Sequence, residues 1–264
     1  MNSNFIDNFE IVGFGDGRFK RIALNWALHL EDLGIKNYSV ICMDEEINDY
    51  LINHNIKTTI LKKEIFSDGF KADWGARFKE LFRLINSGKS IIHSDLDAVW
   101  LKNPKDYIIE GYDIISSVGN MPDYTRFFKK FHCSICMGWI CVRSNEKTIK
   151  LFESILEDPK LHRTGNFDDQ IAFNFKLLDE QETLIHVVKD ERSIQEAEDF
   201  ICGNLSVRLL KQKVINRHDQ NISECFISHP IPPYSGFKTL KLYDTPYHLE
   251  SFFRGIGLWH NKII

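Results

Sequence analysis

Two aspartates one residue apart, Asp95 and Asp97, close an apolar run, and this feature constrains the chain most. The run reads Ser90-Ile91-Ile92-His93-Ser94-Asp95-Leu96-Asp97-Ala98-Val99-Trp100-Leu101-Lys102-Asn103-Pro104. Side chains two apart on an extended chain share a face, so both carboxylates would point at one spot. Two facing anions repel, and each is costly to desolvate. A hard divalent cation lying between them and a phosphate-bearing ligand would resolve that repulsion. The competing reading is a surface turn with two solvated aspartates, which a bare D-x-D would favour. The apolar residues on both sides weigh against it.

The segments around this run alternate between two periodicities. Phe9–Phe14 reads as a first strand, followed by the loop Gly13-Phe14-Gly15-Asp16-Gly17. Apolar residues at Ile22, Trp26, Leu30 and Leu33 fall at helical spacing over Phe19–Leu33, with Gly34 as the cap. Tyr38–Met43 reads as a second strand ending on Asp44, Glu45–His54 as a helix, Lys57–Leu61 as a short strand and Ala76–Ile85 as a helix stopped at Gly88. Further on, Asp113–Val118, Ile135–Arg143 and Ile185–Val188 read as strands. Thr148–Leu156 and Asp168–Leu178 read as helices, the second with an apolar stripe of Ile171, Phe175 and Leu178. The C-terminal third reads as less regular, with a loop at Pro230, Pro232, Pro233 and Gly236. Strands alternating with helices predict an α/β fold with a mainly parallel central sheet flanked by helices. No repeat or low-complexity linker interrupts the 264 residues, so a single domain over 1–264 is expected.

Composition excludes some classes of function. A hydrophobic content of 43% and a charged content of 27% are those of a globular protein able to bury a core without disulfides. The formal charge of −4 argues against a nucleic-acid partner. No apolar run approaches the roughly 20 residues of a membrane helix, so no transmembrane segment is expected. The N-terminus has neither the basic nor the apolar part of a signal peptide. The cysteines are scattered, and Cys133-x-x-Cys136 has no second ligand pair to complete a zinc site. A reducing, cytoplasmic setting is the expectation.

Three readings compete for the acidic run. An NAD-binding fold using the glycine loop fails because Arg18 follows Gly13-x-Gly15-x-Gly17 where the dinucleotide fingerprint wants glycine or alanine. A haloacid-dehalogenase-like phosphatase would use Asp95 as nucleophile, Asp97 as acid and Asp168-Asp169 as a distal acid pair. Its nucleophile strand normally comes first, whereas here a strand-helix-strand unit precedes it, and Asp168-Asp169 opens a helix rather than ending a strand. The third reading is a metal-bridged nucleotide-sugar site.

The third reading carries a family resemblance. His93-Ser94-Asp95-Leu96-Asp97-Ala98-Val99-Trp100-Leu101-Lys102-Asn103-Pro104 is similar to the signature of the nucleotide-diphospho-sugar transferases of GT-A fold, in particular the plant xylosyl- and arabinosyltransferase group, whose pattern reads S-D-x-D-V-V-W-L-R-N-P. Asn25-Trp26, Arg77-Phe78-Lys79, Met137-Gly138-Trp139-x-x-Val142-Arg143-Ser144 and Asp169-Gln170 with Asn174 resemble other elements of the same family, over roughly residues 9 to 260. The resemblance implies a GT-A, Rossmann-like mixed sheet, with a nucleotide-binding half over about 9–110 and an acceptor and sugar-binding half over about 111–264. It implies transfer from a nucleoside-diphosphate sugar to a saccharide or other hydroxyl acceptor, with retention of anomeric configuration and Mn2+ or Mg2+ as cofactor.

The resemblance also distributes roles. Asp97 would ligate the metal directly, and Asp95 would hold the ribose or donor sugar while touching the metal. A third ligand is expected from His229, favoured over His260. Lys238 would neutralise the departing diphosphate, with Arg77 and Lys79 reaching towards it. Gly13 and its loop, with Asp44, would border the nucleoside, and Gly138 would let the backbone approach the sugar. Asp169 would face the donor hydroxyls and Gln170 the anomeric carbon. Trp139 would either stack on a sugar or fill the core. The variable acceptor loops are expected over 121–133 and 190–220.

Overall fold

Tyr38–Cys42 is buried at all five positions, and Ser134–Val142 at all nine. Continuous burial of this kind marks strands covered on both faces, as in a helix-flanked parallel sheet. The computed structural model describes residues 5–61, 73–119, 134–158, 168–179, 199–211, 213–216, 224–229 and 246–263. The expected strand at Ile185–Val188, Cys133, Lys238, the loop around Pro230 to Gly236, all of 121–133 and much of 190–220 lie outside them.

The chain divides into two compact units that interleave in sequence. One comprises Met1–Glu10, Lys62–His93 and Lys105–Gln212; the other comprises Ile11–Leu61, Ser94–Pro104 and Lys213–Ile264.

In the second unit, β1 (Glu10–Gly15), β2 (Tyr38–Cys42) and β3 (Thr58–Ile60) pair in parallel in the order β3-β2-β1. They are connected by α1 (Lys20–Asp32) and α2 (Glu45–Ile52). Helix α1 buries Ile22, Ala23, Leu24, Trp26, Ala27 and Leu30. It ends where expected: Gly34 at φ +73° donates its N–H to Glu31 O, and Ile35 N–H reaches back to Leu30 O. This closure uses the left-handed conformation open to glycine. Asp44 caps α2, its Oδ1 accepting the Ile47 N–H at 3.1 Å. A small second sheet runs in the order β10-β11-β5, with β5 (Val99–Trp100), β10 (Ile215–Asn216) and β11 (Ile227–Ser228). Helix α6 (Pro246–Gly255) follows.

The first unit has strand order β4-β7-β6-β9-β8, with β4 (Ile91–Ser94), β6 (Ile114–Gly119), β7 (Ser134–Val142), β8 (Asp199–Cys202) and β9 (Leu205–Leu210). β6 is parallel to β9 and antiparallel to β7. Helices α3 (Asp73–Asn86), α4 (Glu146–Glu157) and α5 (Asp169–Asp179) meet through aromatic rings. Phe78 and Phe152 stack at 4.7 Å, and Phe152 meets Phe173 edge-on at 5.8 Å. Asn145 and Thr148 form a reciprocal capping box at the start of α4.

One expectation changes. The inward face of α5 is not set by Ile171 and Phe175: Ile171 is 36% exposed and Phe175 half-buried, and the buried positions among the described side chains are Asp169, Ala172, Phe173, Asn174 and Leu177, the side chain of Leu178 lying outside them. A buried aspartate and asparagine set the inward face, which a count of apolar residues cannot register. In the C-terminal third, the described residues include the regular elements β8 to β11 and α6. β9 alternates between buried and half-buried positions over its first four residues, the period of a strand with one covered face, whereas β10 and β11 are too short to show any period.

Candidate functional site

Strand β4 ends at Ser94, and the acidic residues sit on the turn that follows, with the Ala98 N–H donating to Asp95 O at 2.9 Å. A turn, rather than an extended strand, therefore brings the two carboxylates together. Leu96, between them, is buried. It lies against β1: a Cβ placed on Gly13 would come within 2.7 Å of Leu96 Cδ2, and one on Gly15 within 2.7 Å of Cδ1. The two glycines make room for the leucine, and its seating leaves Asp95 and Asp97 half-exposed.

The turn leads into β5, which pairs antiparallel with β11 in the register Trp100 to Ile227 and Val99 to Ser228. Phe226 O accepts the N–H groups of Leu101 and Lys102, and His229 N donates to Asn216 O at 2.9 Å. This pairing carries His229 to the acidic turn. His229 Nε2 lies 3.3 Å from Asp97 Oδ1 and 3.8 Å from Asp95 Oδ2. Ligand atoms of Asp95, Asp97 and His229 all fall within 4.8 Å of one another.

The donor set fits a divalent cation. Cis ligands at bond lengths of about 2.2 Å stand about 3.1 Å apart around an octahedral ion, close to the observed separations. Two carboxylates with one imidazole suit Mn2+ or Mg2+. His229 is 5% exposed, so its imidazole is held by packing, while the half-exposed carboxylates face an accessible side.

His260 occupies a different setting. Its Nε2 is 2.7 Å from Asp32 Oδ2, and its backbone N–H donates to Asn25 Oδ1 at 2.7 Å. The Asn25 amide also donates to Leu258 O. Asn25, of the Asn25-Trp26 pair, thus ties the C-terminal segment to α1. His29 lies edge-on to His260 at 5.4 Å, and burial pushes its imidazole below the usual range.

In the same unit, Asp44 has both carboxylate oxygens engaged: Oδ1 caps α2, and Oδ2 accepts the Gly17 N–H at 2.9 Å. Asp44 therefore fixes the glycine loop after β1. Burial pushes the neighbouring Cys42 thiol up to about 12. The described cysteines Cys42, Cys136, Cys141, Cys202 and Cys225 are buried thiols that form no disulfide.

The other expected residues belong to the first unit. Arg77 and Asp169 form an ion pair, 6% and 2% exposed, with Arg77 Nε donating to Asp169 Oδ2 at 2.8 Å and Nη2 to the same oxygen. Lys79, two residues along α3, is exposed. Gln170 Oε1 accepts the Met137 N–H at 3.1 Å. The Asn174 amide brackets Ile135, accepting its N–H at 2.8 Å and donating to its carbonyl at 2.9 Å. The D-Q-x-x-x-N spacing thus serves the backbone of β7. There the register with β6 shifts between Ser116 and Val118, and Ser116 Oγ lies 2.8 Å from Cys136 O and 3.0 Å from Trp139 O, which share its single proton. Gly138 is buried within this irregular stretch, and Trp139 is fully buried.

Sequence reasoning missed Ser94. Its hydroxyl accepts the indole N–H of Trp26 at 3.1 Å and of Trp100 at 3.0 Å. Both tryptophans were visible in the motifs, but nothing in a single sequence shows that their indoles converge.

A sequence model of the nucleotide-diphospho-sugar transferases matches residues 33–231. A UDP-galactose:fucoside alpha-3-galactosyltransferase of Dictyostelium discoideum is 23% identical over 205 residues, covering 65% of this chain and 31% of that protein. An arabinosyltransferase of Arabidopsis thaliana is 32% identical over 111 residues, covering 39% of this chain and 17% of that protein. The chain thus spans a third or less of the length of these curated relatives. The bifunctional glycosyltransferase WbbM in its apo form superposes with a TM-score of 0.51 at 11% identity, covering 96% of this chain and 53% of the other. That likeness shows the fold, a mixed α/β arrangement of GT-A type with a mainly parallel central sheet flanked by helices. With the match running from the end of α1 past the third member of the Asp95, Asp97 and His229 cluster, the chain belongs to the nucleotide-diphospho-sugar transferase family.

Proposed function

We propose that this chain is a metal-dependent, retaining glycosyltransferase that moves a sugar from a nucleoside-diphosphate sugar to an acceptor hydroxyl. The observation carrying the reading is the convergence of Asp95, Asp97 and His229 on one spot in a chain of this family. When bound there, Mn2+ or Mg2+ stabilises as a Lewis acid the negative charge that grows on the leaving diphosphate. Asp97 and His229 would serve as ligands, and Asp95 would link the metal site to the donor ribose or sugar.

The remaining roles follow the family resemblance. The Gly13 loop and Asp44 border the nucleoside, Lys79 and Lys238 answer the diphosphate charge, and Gly138 offers backbone to the sugar. Asp169 binds donor hydroxyls, and Gln170 stands by the anomeric carbon as an oxocarbenium-like state forms. The pairing of Arg77 with Asp169 supports a role for Arg77 in orienting that carboxylate. The phosphatase reading is not favoured. The chain belongs to the nucleotide-diphospho-sugar transferase family, and Asp168 Oδ1 is taken up in accepting the Ile171 N–H at the start of α5.

The relatives named for galactosyl and arabinosyl transfer make UDP-galactose and an activated arabinose the first donors to test. Incubation with Mn2+, each donor and a panel of saccharide acceptors should release nucleoside diphosphate. EDTA should stop the release, and added Mn2+ should restore it. Release of inorganic phosphate from a phosphomonoester without nucleoside-diphosphate release would contradict the reading. NMR of the product's anomeric centre tests retention, and an inverted product would refute that part.

A further inference from the structure

We propose that Ser94 is a positioning residue for the metal-binding turn, acting through Trp26 and Trp100; this rests on the metal-dependent reading above. A serine hydroxyl has one proton to donate and two lone pairs to accept with. Ser94 Oγ accepts from Trp26 Nε1 at 3.1 Å and from Trp100 Nε1 at 3.0 Å, and lies 3.4 Å from Asp95 O, to which it donates. All three side chains are fully buried. The hydroxyl therefore has its hydrogen-bonding capacity filled in a dry interior, where polar groups hold one arrangement because losing a partner is costly.

The node closes a ring around the two carboxylates. Ser94 precedes Asp95 and Trp100 follows Asp97, so the Trp100–Ser94 bond, spanning six residues, staples the two ends of the turn. Trp100 also pairs with Ile227 in β11, two residues before His229. The same node thus sets the carboxylate turn relative to the strand that delivers the imidazole. Trp26 fastens the ring to α1. The effect of the three is on where the backbone places the ligands.

The test is Mn2+ affinity of the full chain, read by electron paramagnetic resonance of free Mn2+ and, with UDP added, by calorimetry. Ser94→Ala and Trp100→Phe are each expected to weaken Mn2+ binding at least tenfold, within the roughly 10–100-fold range seen when supporting partners of metal ligands are removed. The double variant is expected to be no weaker than Ser94→Ala alone, because both changes open the same ring. If Ser94→Ala fails to fold, Trp100→Phe and Trp26→Phe carry the test. Variants that unfold at lower temperature yet bind Mn2+ like wild type would overturn the proposal, as would losses that simply add in the double variant. A wild-type chain that binds no Mn2+, with or without UDP, would overturn the metal-dependent reading itself before any variant is compared.

Discussion

At the scale of single residues, the two histidines expected to compete for the metal have separated. His229 stands 3.3 Å from Asp97 Oδ1, whereas His260 is bonded to Asp32. His229→Ala should weaken Mn2+ binding at least tenfold by calorimetry, and His260→Ala should leave it within about twofold, as expected for a ligand against a non-ligand. Equal effects would return the choice to open. The Arg77–Asp169 pair supports a stability prediction. Arg77→Met leaves a carboxylate buried at 2% exposure beside an apolar side chain, and breaking one side of such a pair costs about 3–5 kcal/mol. Urea denaturation should show that loss, and Arg77→Met with Asp169→Leu should recover most of it. Asp95, Asp97 and His229 were all legible in the sequence because a polar group after an apolar strand is rare enough to be noticed. Ser94 and Ser116 were not, because each acts through a partner distant in sequence, Trp26 for Ser94 and Cys136 for Ser116; Asn174 stood out as part of a motif, but its bonds to Ile135 did not.

At the scale of elements, the acidic turn is built by what packs beneath it. Gly13→Ala would set a Cβ 2.7 Å from Leu96 Cδ2 and 3.2 Å from Ser94 O. Overpacking of this kind costs about 1–3 kcal/mol, and here it would also push the turn that carries the carboxylates. The expected outcome is a lower unfolding temperature together with weaker Mn2+ binding, both partly restored by Leu96→Val. A drop in stability with unchanged Mn2+ affinity would show that the leucine's seat does not position the aspartates. The helix and strand boundaries before β5 were legible because caps such as Gly34 and Asp44 write themselves locally. The β5–β11 pairing was not, since strands of two residues carry no periodicity and their register is set by tertiary contact.

At the scale of the whole molecule, each unit carries its own polar cluster: Asp95, Asp97 and His229 in one, and the buried Arg77–Asp169 pair with the β7 irregularity in the other. Among the described residues no helix is long and apolar enough to cross a membrane. Acid stability should depend on Asp113. Burial works to raise its pKa, but the Ser206 backbone N–H, Lys147, the Ser206 hydroxyl and Asn145 outweigh it and hold the carboxyl below the usual aspartate range. A depressed folded-state value means the stabilisation is present above the unfolded pKa and is lost as pH falls through the folded one. Asp113→Asn should therefore lower stability near neutrality and flatten its fall in acid, measured by thermal unfolding from pH 7 down to pH 2. Asp95, Asp97 and His229 are proposed to hold the metal through which this chain binds a donor's diphosphate. The most direct measurement is calorimetric titration of UDP into the wild-type chain with Mn2+ and again with EDTA. One UDP should bind per chain with Mn2+, and the affinity should be lost with EDTA; equal affinity in both, or no binding in either, would rule out a metal-held diphosphate at Asp95, Asp97 and His229.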